Sequence, residues 1–179
     1  MRISPFLLFC LLPGLASASV AGQKTIYGLN EYARITDFDV ELPAKLDTGA
    51  MTASLSARHI QRFERDGETW VRFQLGDDEA AGPPIERPVS RISRIKRRSG
   101  DYNPDEGKSY TARPVIEVQL CMGQTLRTIE VNLTDRSAFQ YPLLIGSDAL
   151  SEFAALVDPG LKYVAGKPAC PSPDATPGE

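Results

Sequence analysis

The run Ala44-Lys45-Leu46-Asp47-Thr48-Gly49-Ala50 constrains this chain more than any other stretch. Just upstream, Phe38, Val40 and Leu42 alternate with Asp39 and Glu41, the period-two pattern of a strand with one wet face. The strand then ends on a carboxylate, and a charge carried into an apolar strand end is costly unless it is used. Gly49, two residues on, permits a tight turn in which peptide N–H groups face that carboxylate, and the Thr48 hydroxyl can anchor the loop. Asp47 is therefore the candidate catalytic residue, with Thr48 and Gly49 as its frame.

The remaining pattern is mostly that of strands. Residues 31–36 and 37–46 read as two of them. Residues 54–63 and 69–75 form a hairpin about Asp66-Gly67, with Trp70 and Phe73 as core anchors or, alternatively, pocket walls. Residues 76–84 are a loop by composition, whose Asp77-Asp78-Glu79 reads as a solvated cluster rather than a calcium site. A long basic strand over 87–98, a loop at 100–108 and a return strand over 110–120 make a protruding hairpin. Strands over 115–122, 124–134 and 143–146 precede a short helix, 147–153, with Ser147 as its N-cap, and a closing strand at 154–158. The fold class expected is all-β with one short helix.

At the N-terminus, Arg2, an apolar run over 3–15 and Ala16-Ser17-Ala18 have the form of a cleavable signal peptide over residues 1–18. The run is shorter than the roughly 20 residues of a membrane span, and Cys10, beside Phe9, lacks the small neighbours of a lipidation signal. This predicts a periplasmic or secreted protein with no membrane span after cleavage, one domain over 19–167 and a disordered Pro- and Ser-rich tail over 168–179. A formal net charge of -3 carries no nucleic-acid signal. Cys121 and Cys170 remain after cleavage, where disulfides can form; either they are bridged, or Cys121 is a small core residue and Cys170 sits exposed on the tail. His59, the only histidine, has no evident partners and reads as structural or surface.

Asp47-Thr48-Gly49-Ala50 resembles the active-site signature of aspartic proteases, and Leu144-Ile145-Gly146 resembles its downstream partner. The signature occurs once, as in retropepsins, where two-lobed pepsins carry it twice. With residues 44–57 (AKLDTGAMTASLSA), Trp70-Val71-Arg72-Phe73, Asp135-Arg136 and 141–146 (YPLLIG), the chain resembles a bacterial retropepsin-like family that has carried an ATP-dependent zinc protease label. The resemblance covers most of the chain after about residue 26. It implies a single-lobe closed barrel, the 87–120 hairpin as a flap, and a homodimer that cleaves peptide or protein substrates. Ala50 and Gly146 would border and support the catalytic loop, with Arg91, Arg94, Lys96 and Arg113 on the flap arms. The separation of Asp47 from Gly146 exceeds that of a compact viral protease, so the flap and its preceding loop are enlarged.

Two carboxylates a few Å apart cannot both ionise, so a dyad shares one proton; one Asp activates water while the other protonates the carbonyl oxygen. One Asp47 per chain then requires two chains. No cofactor or metal is called for. There is no His-Glu-x-x-His, two cysteines do not complete a zinc site, and no phosphate-binding Gly-rich loop or Gly-x-Ser-x-Gly is present. The basic arm, Arg87 to Arg98, would favour acidic peptides if it faces the cleft; otherwise it is a solvated strand that discourages edge aggregation. Arg113 and Arg136 would support flap or loop. The alternative function is a non-catalytic periplasmic module that binds a peptide or protein on the same fold.

Overall fold

The computed structural model describes residues 23–76, 82–96 and 110–171. Strand β1 (Thr25–Ile35) passes through a 3-10 turn (Thr36–Phe38), with Asp39 left-handed, into β2 (Val40–Asp47). Next come β3 (Ala53–Ser56), β4 (Arg58–Arg65), β5 (Glu68–Gln74), β6 (Ile85–Pro88), β7 (Arg91–Lys96), β8 (Tyr110–Met122), β9 (Thr125–Thr134) and β10 (Leu143–Gly146). Helix α1 (Ser147–Glu152) and β11 (Ala155–Lys162) complete the order. The main sheet runs β11-β1-β2-β10-β3-β9-β8-β7, and β1 also pairs with β8 through Ala33–Ile35, so the sheet curls into a ring of strands. Leu46, Leu55, Ile116, Leu120, Leu133 and Ile145 fill its interior. The fold is the expected all-β, retropepsin-like lobe, with β7 and β8 forming the arms of the flap hairpin.

Several boundaries differ from the sequence pattern, each for a reason of pairing. The first strand begins at Thr25, because its leading half pairs in parallel with β11 and only its second half with β2. The stretch 54–63 is two strands: β3 pairs with β9 and β10, whereas β4 belongs to a separate β4-β5-β6 sheet. Likewise 87–98 is not one strand. It leaves the small sheet at Val89, whose N–H donates to Thr69, and joins the main sheet at Ser90, whose N–H donates to Val115. The Asp66-Gly67 hairpin forms as expected, both residues having positive φ. Phe73 is buried, but Trp70 is not a core anchor: it faces outward, stacked against the Arg65 guanidinium. His59 lies exposed in a bulge of β4. The N-cap of α1 is Gly146, and Ser147 is its first helical residue. The leader (1–18), the acidic cluster (77–79), Arg97, Arg98 and the flap tip lie outside the described residues.

Residues 163–171, partly assigned to a free tail by composition, are fastened to the sheet; 172–179 lie outside the described residues. The fully buried Glu31 carboxylate accepts N–H bonds from Gly28, Val164 and Ala165, a hydrogen-bonded arrangement that makes its burial tolerable. Tyr163 stacks on Tyr32, Lys167 pairs with Glu41, and Ala169 N–H donates to Gly123. Cys121 and Cys170 are joined in a disulfide across 49 residues. Of the two alternatives the bridged one holds, because β8 places Cys121 beside the returning chain. Replacing Cys170 with Ser is expected to lower stability by about 2–4 kcal/mol, measured as a reduced denaturation midpoint. Reductant should lower the parent's midpoint and leave that of the variant in place; equal midpoints without reductant would contradict the expectation.

Candidate active site

The active-site loop is built from pairing outward. β2 lies between β1 and β10, and its parallel register with β10 sets Leu144 opposite Lys45, Ile145 opposite Leu46, and Gly146 opposite Asp47. Leu46 is buried in the core, so alternation turns Lys45 and Asp47 to the other face. There the chain turns: Gly49 N–H donates to Asp47 Oδ1 at 3.1 Å, and Ala50 N–H to the Asp47 carbonyl at 3.2 Å. From beneath, the N–H groups of Ser147 and Asp148 bind the carbonyls of Ala50 (2.7 Å) and Met51 (3.1 Å). Thr48 and Gly49 are exposed, and Ala50 is half-buried.

Asp47 opens into a cavity of about 790 Å³ whose walls include Lys45, Ala50, Ile95, Arg113, Asn132, Arg136 and Phe139. Lys45 Nζ stands 3.7 Å from Asp47 Oδ2. Arg136 is only 7 % exposed; its Nε donates to the Tyr141 carbonyl at 3.1 Å, and the Phe139 ring lies over its guanidinium. Arg113 Nη1 donates to Asn132 Oδ1 at 3.2 Å, while its Nε is buried without a hydrogen-bond partner. Burial pushes both guanidinium groups below their ordinary values. For Arg136 the charge of Arg113 adds to this, and Asp47 opposes it. The Asp135 carboxyl, also on the cavity wall, is held below its usual range chiefly by the Ser137 N–H at 2.8 Å.

Among the described side chains of the basic arm, Arg87, Arg91 and Arg94 do not line this cavity. Arg91 forms an ion pair with Glu130, at 2.6 Å, at the base of the hairpin, and Ser90 Oγ donates to the same carboxylate. Arg94 lies over the Tyr110 ring on the opposite ribbon face from Ile95, which lines the cavity. Lys96 is opposite Tyr110 in register. Of the flap-arm residues singled out by sequence, Arg113 reaches the cavity wall with Asp47, Ala50 and Arg136. Sequence reasoning passed over Lys45, Asn132 and Phe139. The i, i+2 spacing of Lys45 and Asp47 on one strand was a usable signal; nothing local marked Asn132. Among the described residues, no group of three or more His, Cys, Asp or Glu side chains is placed to hold a metal ion.

The chain has counterparts in sequence and fold. A solved Legionella pneumophila protein of unknown function matches the chain with a TM-score of 0.66 at 36% identity, over 80% of this chain and 99% of that one. Proteins named probable alpha-L-glutamate ligase from Desulfotalea psychrophila and Shewanella pealeana are each 31% identical, over 80% and 83% of this chain. The chain spans 30% and 31% of their respective lengths. The profile of a RimB-like family, described as retropepsin-like aspartic endopeptidase RimB, matches residues 26–168. The chain therefore belongs to the RimB-like family of retropepsin-like aspartic endopeptidases.

Proposed function

We propose that this chain is an exported aspartic endopeptidase that hydrolyses acidic peptides at an Asp47 dyad formed between two copies. The observation that carries the reading is the Asp47 carboxylate, oriented by the Gly49 N–H and open to a cavity large enough for a peptide segment. In the dimer one Asp47 takes a proton from water as the other donates to the scissile carbonyl oxygen, and the roles of the two carboxylates reverse as the tetrahedral intermediate collapses. Thr48, exposed in the single chain, would meet its counterpart across the two-fold axis. The flap arms would cover the bound segment and exclude water.

The acidic preference is read from Lys45, Arg113 and Arg136, which put positive charge around a single catalytic carboxylate. The relatives' names, which speak of alpha-L-glutamate, favour glutamate as the acidic residue. Export is supported by the leader pattern together with the Cys121–Cys170 disulfide, a bond that persists in oxidising compartments.

A peptide library containing acidic and neutral sequences, incubated with the chain over acidic to neutral pH and read by mass spectrometry, tests this reading. Cuts flanked by acidic residues are expected, with activity per chain rising with concentration in step with the dimer fraction from sedimentation. A folded dimer that cuts nothing would favour the binding-module alternative, and full activity in a dilute monomer would exclude a shared dyad.

A further inference from the structure

Beneath the cavity lies Asn132, 3 % exposed, with its amide in use on both sides. Its Nδ2 donates to the Ala53 carbonyl (2.6 Å) and the Thr52 hydroxyl (3.2 Å); its Oδ1 accepts from Ser54 Oγ and Arg113 Nη1, each at 3.2 Å. A carbonyl can only accept, so the group facing Ala53 must be the NH₂, which leaves the oxygen to face Arg113. Asn132 thus joins the strand after the catalytic loop, β3, to β9 and to the flap-arm strand β8 that carries Arg113.

We infer that Asn132 is a positioning residue that aims the Arg113 guanidinium at the cavity without cancelling its charge, and so sets the preference for acidic side chains. The inference rests on the acidic-substrate reading above. An amide oxygen fixes a guanidinium by a hydrogen bond yet carries no net charge. A carboxylate in the same place would form an ion pair and leave little positive charge for a ligand. Arg113 Nε, buried and without an acceptor, is a donor whose cost is relieved when a bound anionic group reaches it. Arg136, the second guanidinium of the wall, is engaged with the Tyr141 carbonyl rather than with a carboxylate. The carboxylates on the cavity wall are Asp47, which opposes the effect of Arg113 on Arg136, and Asp135, which is occupied by Ser137.

Asn132→Asp is nearly isosteric; it puts a charged acceptor in place of the neutral one facing Arg113 and also removes the NH₂ donor to Ala53 and Thr52, a structural cost that bears on both peptides alike. The test measures binding of two fluorescent peptides, identical except for Glu or Gln at the same positions, to full-length chains that also carry Asp47→Asn to prevent cleavage. With Asn132 intact, the Glu peptide is expected to bind about tenfold more tightly than the Gln peptide. With Asn132→Asp the two affinities should come within about twofold of each other. A purely structural role would weaken both peptides in parallel and preserve the ratio, which would overturn the inference alone. If the chain with Asn132 intact shows no discrimination, the acidic-substrate reading falls and this inference falls with it. Thermal unfolding checks that Asn132→Asp is folded. If it is not, Arg113→Gln carries the test: the ratio must be lost there too, and a ratio retained overturns the proposal.

Discussion

Replacing Asp47 with Asn is expected to leave a folded chain that cleaves no peptide. The amide oxygen of Asn can still accept the Gly49 N–H bond that shapes the loop, so the geometry is kept while the base is removed. An amide takes no proton from water, and loss of positioned general acid–base chemistry alone costs about 10²–10⁴-fold. In the proposed homodimer both halves of the dyad would be lost together, so the effect should lie at or beyond the upper end. Mixing tests the sharing directly. If chains re-pair at random, equal amounts of parent and variant should leave about a quarter of the dimers with two carboxylates. At fixed parent concentration that quarter is about half the number of parent–parent dimers present before mixing, so activity falling to about half on re-equilibration supports a shared dyad, provided the total concentration keeps the chains dimeric. Activity unchanged by the variant would mean that each chain works alone. Cleavage by Asp47→Asn itself would remove Asp47 as the catalyst.

Gly146→Ala is expected to be the most damaging single-methyl change near the site. A Cβ at this position would lie 2.7 Å from the Met51 carbonyl oxygen and equally close to the carbon and oxygen of the Thr52 carbonyl. These are backbone atoms that cannot rotate away. The conflict is steric rather than conformational, since φ at Gly146 is -87° and suits any residue. Relief requires moving residues 50–52 away from the start of α1, breaking the Ser147 and Asp148 N–H bonds that hold the loop from beneath. Overpacking of this kind costs about 3 kcal/mol. Denaturant unfolding should show the loss, and activity should fall further than the folded fraction does because Asp47 is displaced with the loop. A parent-like midpoint and activity would show that the loop accommodates the methyl group.

The loop around Asp47 was legible because its chemistry is local: the carboxylate, the glycine that permits its turn, and the preceding alternation lie within a few residues. Gly146 was legible for a related reason, as the end of an apolar run ahead of a helix. The cations around Asp47 were less legible for the converse reason. Arg91 and Arg94 are close together in sequence, but alternation sends Arg94 to the face away from the cavity, and Glu130, 39 positions away, takes Arg91. Trp70 looked like core by type, yet its strand turns Val71 and Phe73 inward and leaves Trp70 to Arg65 on the outside.

Strand type, the Asp-Thr-Gly turn, the hairpin at Asp66-Gly67 and the family resemblance are properties of short stretches, because dihedral preference and period-two burial act between neighbours in the chain. Which half of a strand joins which sheet is a different matter. Residues 54–65 and 85–96 keep strand character while passing from one sheet to the other, so the breaks at Ala57 and Val89–Ser90 appear only in the partners. The same holds for the cavity: Lys45, Arg113 and Arg136 come from β2, β8 and the loop after β9, and curling of the sheet brings their charges around Asp47. Electrostatic and hydrogen-bond energies depend on distance through space, which the closed ring of strands establishes and the order of residues along the chain does not.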